Sequence, residues 1–174
     1  MKGRKFNSLM PKYNENWSAK ILGMEVNSSA GPDLIDNEKA VEIKFKIIYE
    51  KRYAHKSWRT LKHQLEYDKD FPEIYWGLGF YKIDKKVEEM DLEEINEERI
   101  LERELYIVKW DWMRQFPIYH ETGRTANSEW NNYLLFPKFN LLPKTIYECN
   151  LESGKLFFTE GVNPKRFDIN TKSL

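Results

Sequence analysis

The sequence predicts an α/β domain: one mixed β-sheet with helices packed on it, in the order α-β-β-β-α-β-β. Three observations carry that prediction. Residues 41–49, VEIKFKIIY, alternate apolar and charged side chains at the start, the two-residue period of a strand. Residues 73–83 and 104–112, EIYWGLGFYKI and ELYIVKWDW, are apolar, aromatic runs suited to central strands. Residues 14–23 and 55–71 place apolar side chains at helical spacing.

Each element has a local reason. In NENWSAKILG, Asn14 can cap a helix, Glu15 falls in its first turn, Trp17, Ile21 and Leu22 supply an apolar face, and Gly23 suits the stop. The basic residues before it are expected to lie outside the core. A turn-rich link, NSSAG at 27–31, leads to a hairpin over 33–49 with Val41, Ile43, Phe45 and Ile47 on one face. The helix expected at 55–71 sets Trp58, Leu61, Leu65 and Phe71 against Arg59, Lys62, His63 and Glu66. Between the two aromatic strands, residues 84–104 are acidic and read as a helix or long loop forming a solvated face. Beyond 113 prolines interrupt the pattern, and a late hairpin is expected in IYECNLESGKLFF, turning at 152–155.

Composition bounds the function. A chain of 174 residues is expected to form one domain, with a core over about 13–112, an acidic insertion at 84–104 and an elaboration at 113–174. Cys149 is the only cysteine, which excludes an internal disulfide and a cysteine-rich zinc site and makes a reducing, cytoplasmic home the default. No apolar stretch is long enough to span a membrane, and the N-terminal residues lack the apolar core of a secretory signal. Net charge is zero, yet residues 1–66 hold 13 Lys/Arg against 8 Asp/Glu, while 84–104 hold 4 against 10. A basic face beside an acidic flank is compatible with a nucleic-acid partner, and equally with an unevenly charged surface.

The hairpin raises the chemical question. With Asn37 and Glu38 as the two turn residues, 36 pairs with 39, 35 with 40, 34 with 41, and Asp33 faces Glu42. Lys44 then shares their face. Two carboxylates so placed repel each other, unless a hard divalent cation such as Mg²⁺ lies between them. A plainer reading keeps Asp33 as a turn former and Glu42 with Lys44 as an exposed strand pair.

PDLIDNEKAVEIK, with Pro32 and Asp33 in its first half and Glu42, Ile43 and Lys44 in its second, resembles the signature of the PD-(D/E)XK nuclease superfamily. The resemblance spans about residues 13–48, and the gap between Asp33 and Glu42 is short for the family. It implies a restriction-endonuclease-like mixed sheet with core order α-β-β-β-α-β and a Mg²⁺-dependent deoxyribonuclease, with Mn²⁺ as substitute. Asp33, Glu42, Glu15 and Ile43 would hold the metal. Asp33, Glu42, Lys44 and Glu15 would form the catalytic set, Lys44 positioning the attacking water or neutralising charge on the phosphate. Glu15 has the alternative of a helix-dipole role. Lys46, Arg59, Lys62, Ser28 and Ser29 are candidate DNA contacts, with solvated surface as the alternative. Gln64 resembles the glutamine of a glutamine-tyrosine motif in exonuclease-type members; Tyr67 falls one position early for it, so packing is its expected role.

The expected partner is DNA, cut by a restriction-type or junction-resolving endonuclease; cutting both strands would need two sites, which a homodimer supplies. The rivals are a repair exonuclease, a non-catalytic nucleic-acid-binding module on the same fold, and a protein-interaction domain built on the acidic segment.

Overall fold

The computed structural model describes residues 2–37, 39–47, 58–71, 73–113, 118–120, 132–135 and 156–160. It is a mixed α+β architecture. Helix α1 spans Lys2–Leu22, strands β1 (Glu25–Val26), β2 (Leu34–Ile35) and β3 (Ala40–Ile47) follow, and β4 is Trp58–Leu61. After a 3-10 helix at Lys62–Lys69 come β5 (Ile74–Ile83), β6 (Ile100–Lys109), the four-residue helix α2 (Trp110–Met113), β7 (Ile118–His120), β8 (Asn132–Leu135) and β9 (Leu156–Glu160). Six of these strands form one sheet in the order β1-β2-β3-β5-β6-β9, and β4-β8-β7 form a second. Only the β3–β5 pair is parallel among the described ladders. Among the described residues no helix is long and apolar enough to cross a membrane.

Three expectations are corrected. The first helix does not begin at Asn14 but twelve residues earlier, and Pro11 sits inside it. Its buried stripe runs Phe6, Met10, Asn14 and Ser18, one residue every four, with Ala19 beside the last. The upper half of that stripe is covered by Met90 and Ile95 of the acidic segment, together with Tyr81 and Ile83. That segment is therefore no solvated helix: it carries two short 3-10 turns, Val87–Glu89 and Glu97–Arg99, and contributes to the core. The helix ends as expected. Gly23 takes φ of 66°, and Met24 N–H donates to the Ala19 carbonyl at 3.0 Å, the six-to-one bond of a Schellman stop.

The third correction is the helix expected at 55–71. Residues 58–61 form a strand whose partner is 132–135, and only 62–69 are helical, with 3-10 geometry. The turn of the late hairpin, at 152–155, lies outside the described residues; β9 pairs with β6 from Leu156 onward.

Sheet parity sets the core. Val41 and Ile43 of β3 and Leu105 and Ile107 of β6 face α1, packing with Leu34 and Ala19. Trp76, Leu78, Phe80, Tyr106 and Val108 fill the opposite face with Ala40, covered by Trp58 and by Leu65, Tyr67 and Phe71. Trp58 Nε1 donates to the Gly79 carbonyl at 3.1 Å, fixing β4 across β5.

Gly77 and Gly79 explain how β3 seats against β5. They pair with Ile43 and Phe45, whose side chains lie across the space that a Cβ would take. The Phe45 ring, edge-on to both Trp17 and Tyr81, would stand 2.4 Å from a Cβ at position 79. Gly79→Ala is therefore expected to lower unfolding free energy in denaturant by about 1–3 kcal/mol through overpacking. Adding Phe45→Leu should recover part of the loss; a double mutant no more stable than the sum of the singles would show that the ring is not the obstacle.

Candidate active site

The hairpin folds in the expected register: Leu34 pairs with Val41, Ile35 with Ala40, and Asp36 N–H donates to the Lys39 carbonyl at 2.9 Å. The ladder then stops one pair short of Asp33 and Glu42, because β2 is two residues long while β3 has eight. Beyond Val41 the described part of β2 leaves that edge of β3 open. Asp33 closes its first gap: Oδ2 accepts the Ile43 N–H at 2.8 Å. The Ile43 carbonyl lies on the same side of the strand as its N–H and so also faces the open edge.

Glu42 is only 1% exposed, on the face that holds Trp76 and Ala40. The plainer expectation of an exposed strand pair does not hold for it. Its Oε1 accepts from both Lys44 Nζ and Gln64 Nε2, while Oε2 is buried with no hydrogen-bond donor. Gln64 is itself fixed, its Oε1 accepting from Thr60 Oγ1 at 3.0 Å and from Leu61 N–H at 2.9 Å. Burial, above all, pushes the Glu42 carboxyl up to about 7; the Lys44 ammonium opposes this and the Asp33 carboxylate adds to it. Asp33 and Glu15 are also raised, each chiefly by burial, with Asp33 adding to the shift at Glu15.

On the α1 side of β3 lies a cleft of about 250 Å³, which Glu42 itself does not line. Glu15 and Asn14 of α1 line it together with Asp33, Ile43 and Lys44, while Pro11, Phe45 and Tyr81 give it an apolar wall. Glu15 lies deep within the helix, more than three turns from its start, where the helix dipole has faded; the dipole role falls away. The structure thus gathers Glu15, Asp33, Ile43 and Lys44 on one cleft with Glu42 behind them. Ser28, Ser29, Lys46, Arg59 and Lys62 do not line it. Ser28 and Ser29 are exposed in the link, Arg59 is exposed on β4, and Lys62 is exposed at the start of the 3-10 helix. His63 stacks edge-on with Tyr67.

Two participants were not assigned to the site from sequence. Asn14 was read as a helix cap, and Gln64 as packing. The motif spacing held the clue for Gln64: in a 3-10 helix residues three apart eclipse, so Gln64 and Tyr67 share a face. The Tyr67 phenol is pushed up to about 12, mostly by burial and then by the Glu42 and Asp33 carboxylates.

Among the described residues no three or more His, Cys, Asp or Glu side chains are gathered closely enough to enclose an ion by themselves. The donor set nevertheless fits a hard cation of the Mg²⁺ type, which commonly takes only one or two protein carboxylates and fills its shell with water and phosphate oxygens. The observation that favours the fit is the buried, donorless Oε2 of Glu42. Compared with known proteins, the chain matches no family model, no curated protein and no solved structure.

The raised carboxyl has a signed consequence. Between pH 4.5 and about 7 the folded protein holds a proton that the unfolded chain has released, so metal-free stability falls as pH rises through that window. For Glu42 the full drop is on the order of 3 kcal/mol. In EDTA at pH 8, Glu42→Gln should be as stable as the parent or about 1 kcal/mol more stable, because its unpaired amide N–H cancels part of the gain. At pH 4.5 that advantage should vanish. Thermal melts of both proteins at the two pH values measure it, and a variant that unfolds much earlier at pH 8 would make Glu42 a structural partner of Lys44.

Proposed function

We propose that the chain is a Mg²⁺-dependent deoxyribonuclease on a restriction-endonuclease-like fold, a restriction-type or junction-resolving endonuclease that hydrolyses phosphodiester bonds. The observation that carries this reading is the buried Glu42 carboxylate, one oxygen without a donor and the other held by Gln64 and by Lys44, which lines the cleft with Asp33 and Glu15. Support for the fold comes from the order of elements: a helix bearing an acid, an antiparallel β1–β2–β3 run, and a parallel partner, β5, after a crossover. Asp33, Glu42, Glu15 and the Ile43 carbonyl would hold the cation. Bound there, Mg²⁺, or Mn²⁺ in its place, would polarise the scissile phosphate and lower the pKa of a water.

The protein's own groups do the rest. Lys44 lines the cleft, and its ammonium offsets negative charge that grows on the phosphate oxygens as water adds to phosphorus and the sugar oxygen departs. Gln64, clamped by Thr60 and Leu61, holds Glu42 in one rotamer so that no reorganisation is needed at the moment of reaction. Asp33 is oriented by the Ile43 N–H. A homodimer would bring two such clefts to a duplex.

One observation favours a second reading, an exonuclease of recombination or repair: Gln64, which resembles the glutamine of the exonuclease-type motif, donates to Glu42. Supercoiled, linear and four-way-junction DNA incubated in Mg²⁺, Mn²⁺ and EDTA separate the two. An endonuclease opens closed circles; an exonuclease degrades only DNA with ends. Lys44→Ala should lower cleavage at least about a hundredfold while DNA affinity stays within a few-fold, since one phosphate contact among several contributes modestly. A Lys44→Ala protein that cuts at near-normal rate would remove Lys44 from the mechanism, and a parent that cuts none of the substrates with either metal would overturn the nuclease reading.

A further inference from the structure

Asn14 is 1% exposed, yet it is one of the residues that line the cleft. Its two amide atoms are unlike. Oδ1 accepts from Arg103 Nε at 3.1 Å, which settles which way the amide is turned, because a guanidinium can only donate. Nδ2 therefore points away from Arg103, and it is a buried donor with no acceptor. A buried N–H without a partner is costly, and a chain that needed only packing at this position could place an alanine or leucine there.

Arg103 is in turn held from three sides. Its guanidinium lies over the Trp17 ring at 5.4 Å from the centroid, and its terminal nitrogen donates to Glu97 Oε1 at 2.7 Å. The buried stripe of α1 is apolar at Phe6 and Met10 and turns polar at Asn14, level with the neighbouring cleft residue Glu15. The amide is thus braced through Oδ1, and its donor is left without an intramolecular partner in a residue that lines the same cleft as Glu15, Asp33 and Lys44.

We propose that Asn14 is a substrate-binding residue whose unpaired amide N–H donates to a phosphate oxygen of a nucleic-acid strand in this cleft, with Arg103 as the positioning residue that orients it. The inference rests on the nuclease reading, since it presumes a phosphodiester there. An N–H donor suits that ligand: phosphate oxygens accept hydrogen bonds and never donate them, whereas Glu15, Asp33 and Glu42 can take no part in holding an anion without a cation.

The test is Asn14→Asp, which has the same shape and still offers Arg103 an acceptor, but replaces the donor with a second acceptor oxygen and a negative charge. Asn16→Asp, exposed on the same helix, is the control for added charge. Fluorescence anisotropy with a short labelled DNA duplex, in EDTA, reads the affinity, and a thermal melt reads the fold. The expected result is a roughly tenfold weaker Kd for Asn14→Asp at an unchanged melting temperature, against less than a twofold change for Asn16→Asp. Equal losses in the two variants, or none in Asn14→Asp, would overturn the inference while leaving the nuclease reading in place. A parent that binds no DNA, in EDTA or with Ca²⁺ in place of Mg²⁺, would overturn both. Should Asn14→Asp melt too low to assay, the Asn14 side-chain NH₂ resonance of ¹⁵N-labelled parent protein decides: duplex DNA must shift it, and an unmoved signal sinks the proposal. Arg103→Lys, which keeps the charge but changes the fork, should give an intermediate loss of affinity; affinity equal to the parent's would remove Arg103 from the arrangement.

Discussion

A carboxylate in a protein interior is expensive unless something holds it, and Glu42 is held on one oxygen only. Much of the local structure follows from that constraint. Gln64 has to arrive at Glu42 with its amide already oriented, which is why the segment after β4 tightens into a 3-10 helix and returns Gln64 to Thr60 and Leu61. Lys44 must lie two residues along the same strand face to reach the same oxygen. The strand opposite has to stop early, because a full β2 would cover the edge where Asp33 now accepts from Ile43. A stability-driven chain would have placed a valine or leucine at position 42. A buried carboxylate satisfied on one oxygen only is stability forgone at one point of an otherwise well-packed sheet.

The second organising feature is the brace between α1 and strand β6. Asn14, Trp17, Arg103 and Glu97 connect the helix, β6 and the acidic segment through one guanidinium. The brace fixes the helix about its own axis, and so fixes where Glu15 stands relative to Asp33. Elsewhere the acidic segment ties itself together: Glu94 accepts from Lys85 and Arg99, and Arg99 also reaches Asp84. Its negative charge is partly internal to the fold, and the arithmetic of surface charge overstates what a partner would meet.

Where sequence reasoning succeeded, the information was local. The register of the hairpin follows from one turn and a two-residue period, as far as the Leu34–Val41 pair. Strands β5 and β6 announce themselves by aromatic density. Failures came wherever the deciding partner is distant. Phe6 and Met10 look like a loose basic start until Met90 and Ile95 cover them. Trp58, Leu61 and Leu65 have helical spacing, yet residues 58–61 are drawn into a ladder with 132–135, and tertiary pairing overrides propensity. Arg103 gave one signal, a lone arginine between the acidic stretch and an apolar strand, but nothing local pointed to Asn14.

The covering of α1 by the acidic segment also has a consequence for synthesis. Met90 is made eighty residues after Met10. At about 5–20 residues per second, the ribosome takes roughly 4–16 s to close that interval. For that time the greasy stripe of the nascent helix has no lid, and its polar neighbours Asn14 and Ser18 have no sheet to lie against. The parallel β3–β5 pair, which needs a long crossover, adds to the delay, since non-local pairing is slow to form. The order of the elements thus leaves this stripe uncovered early in synthesis, and a permuted chain that begins at the acidic segment would make the cover before the helix.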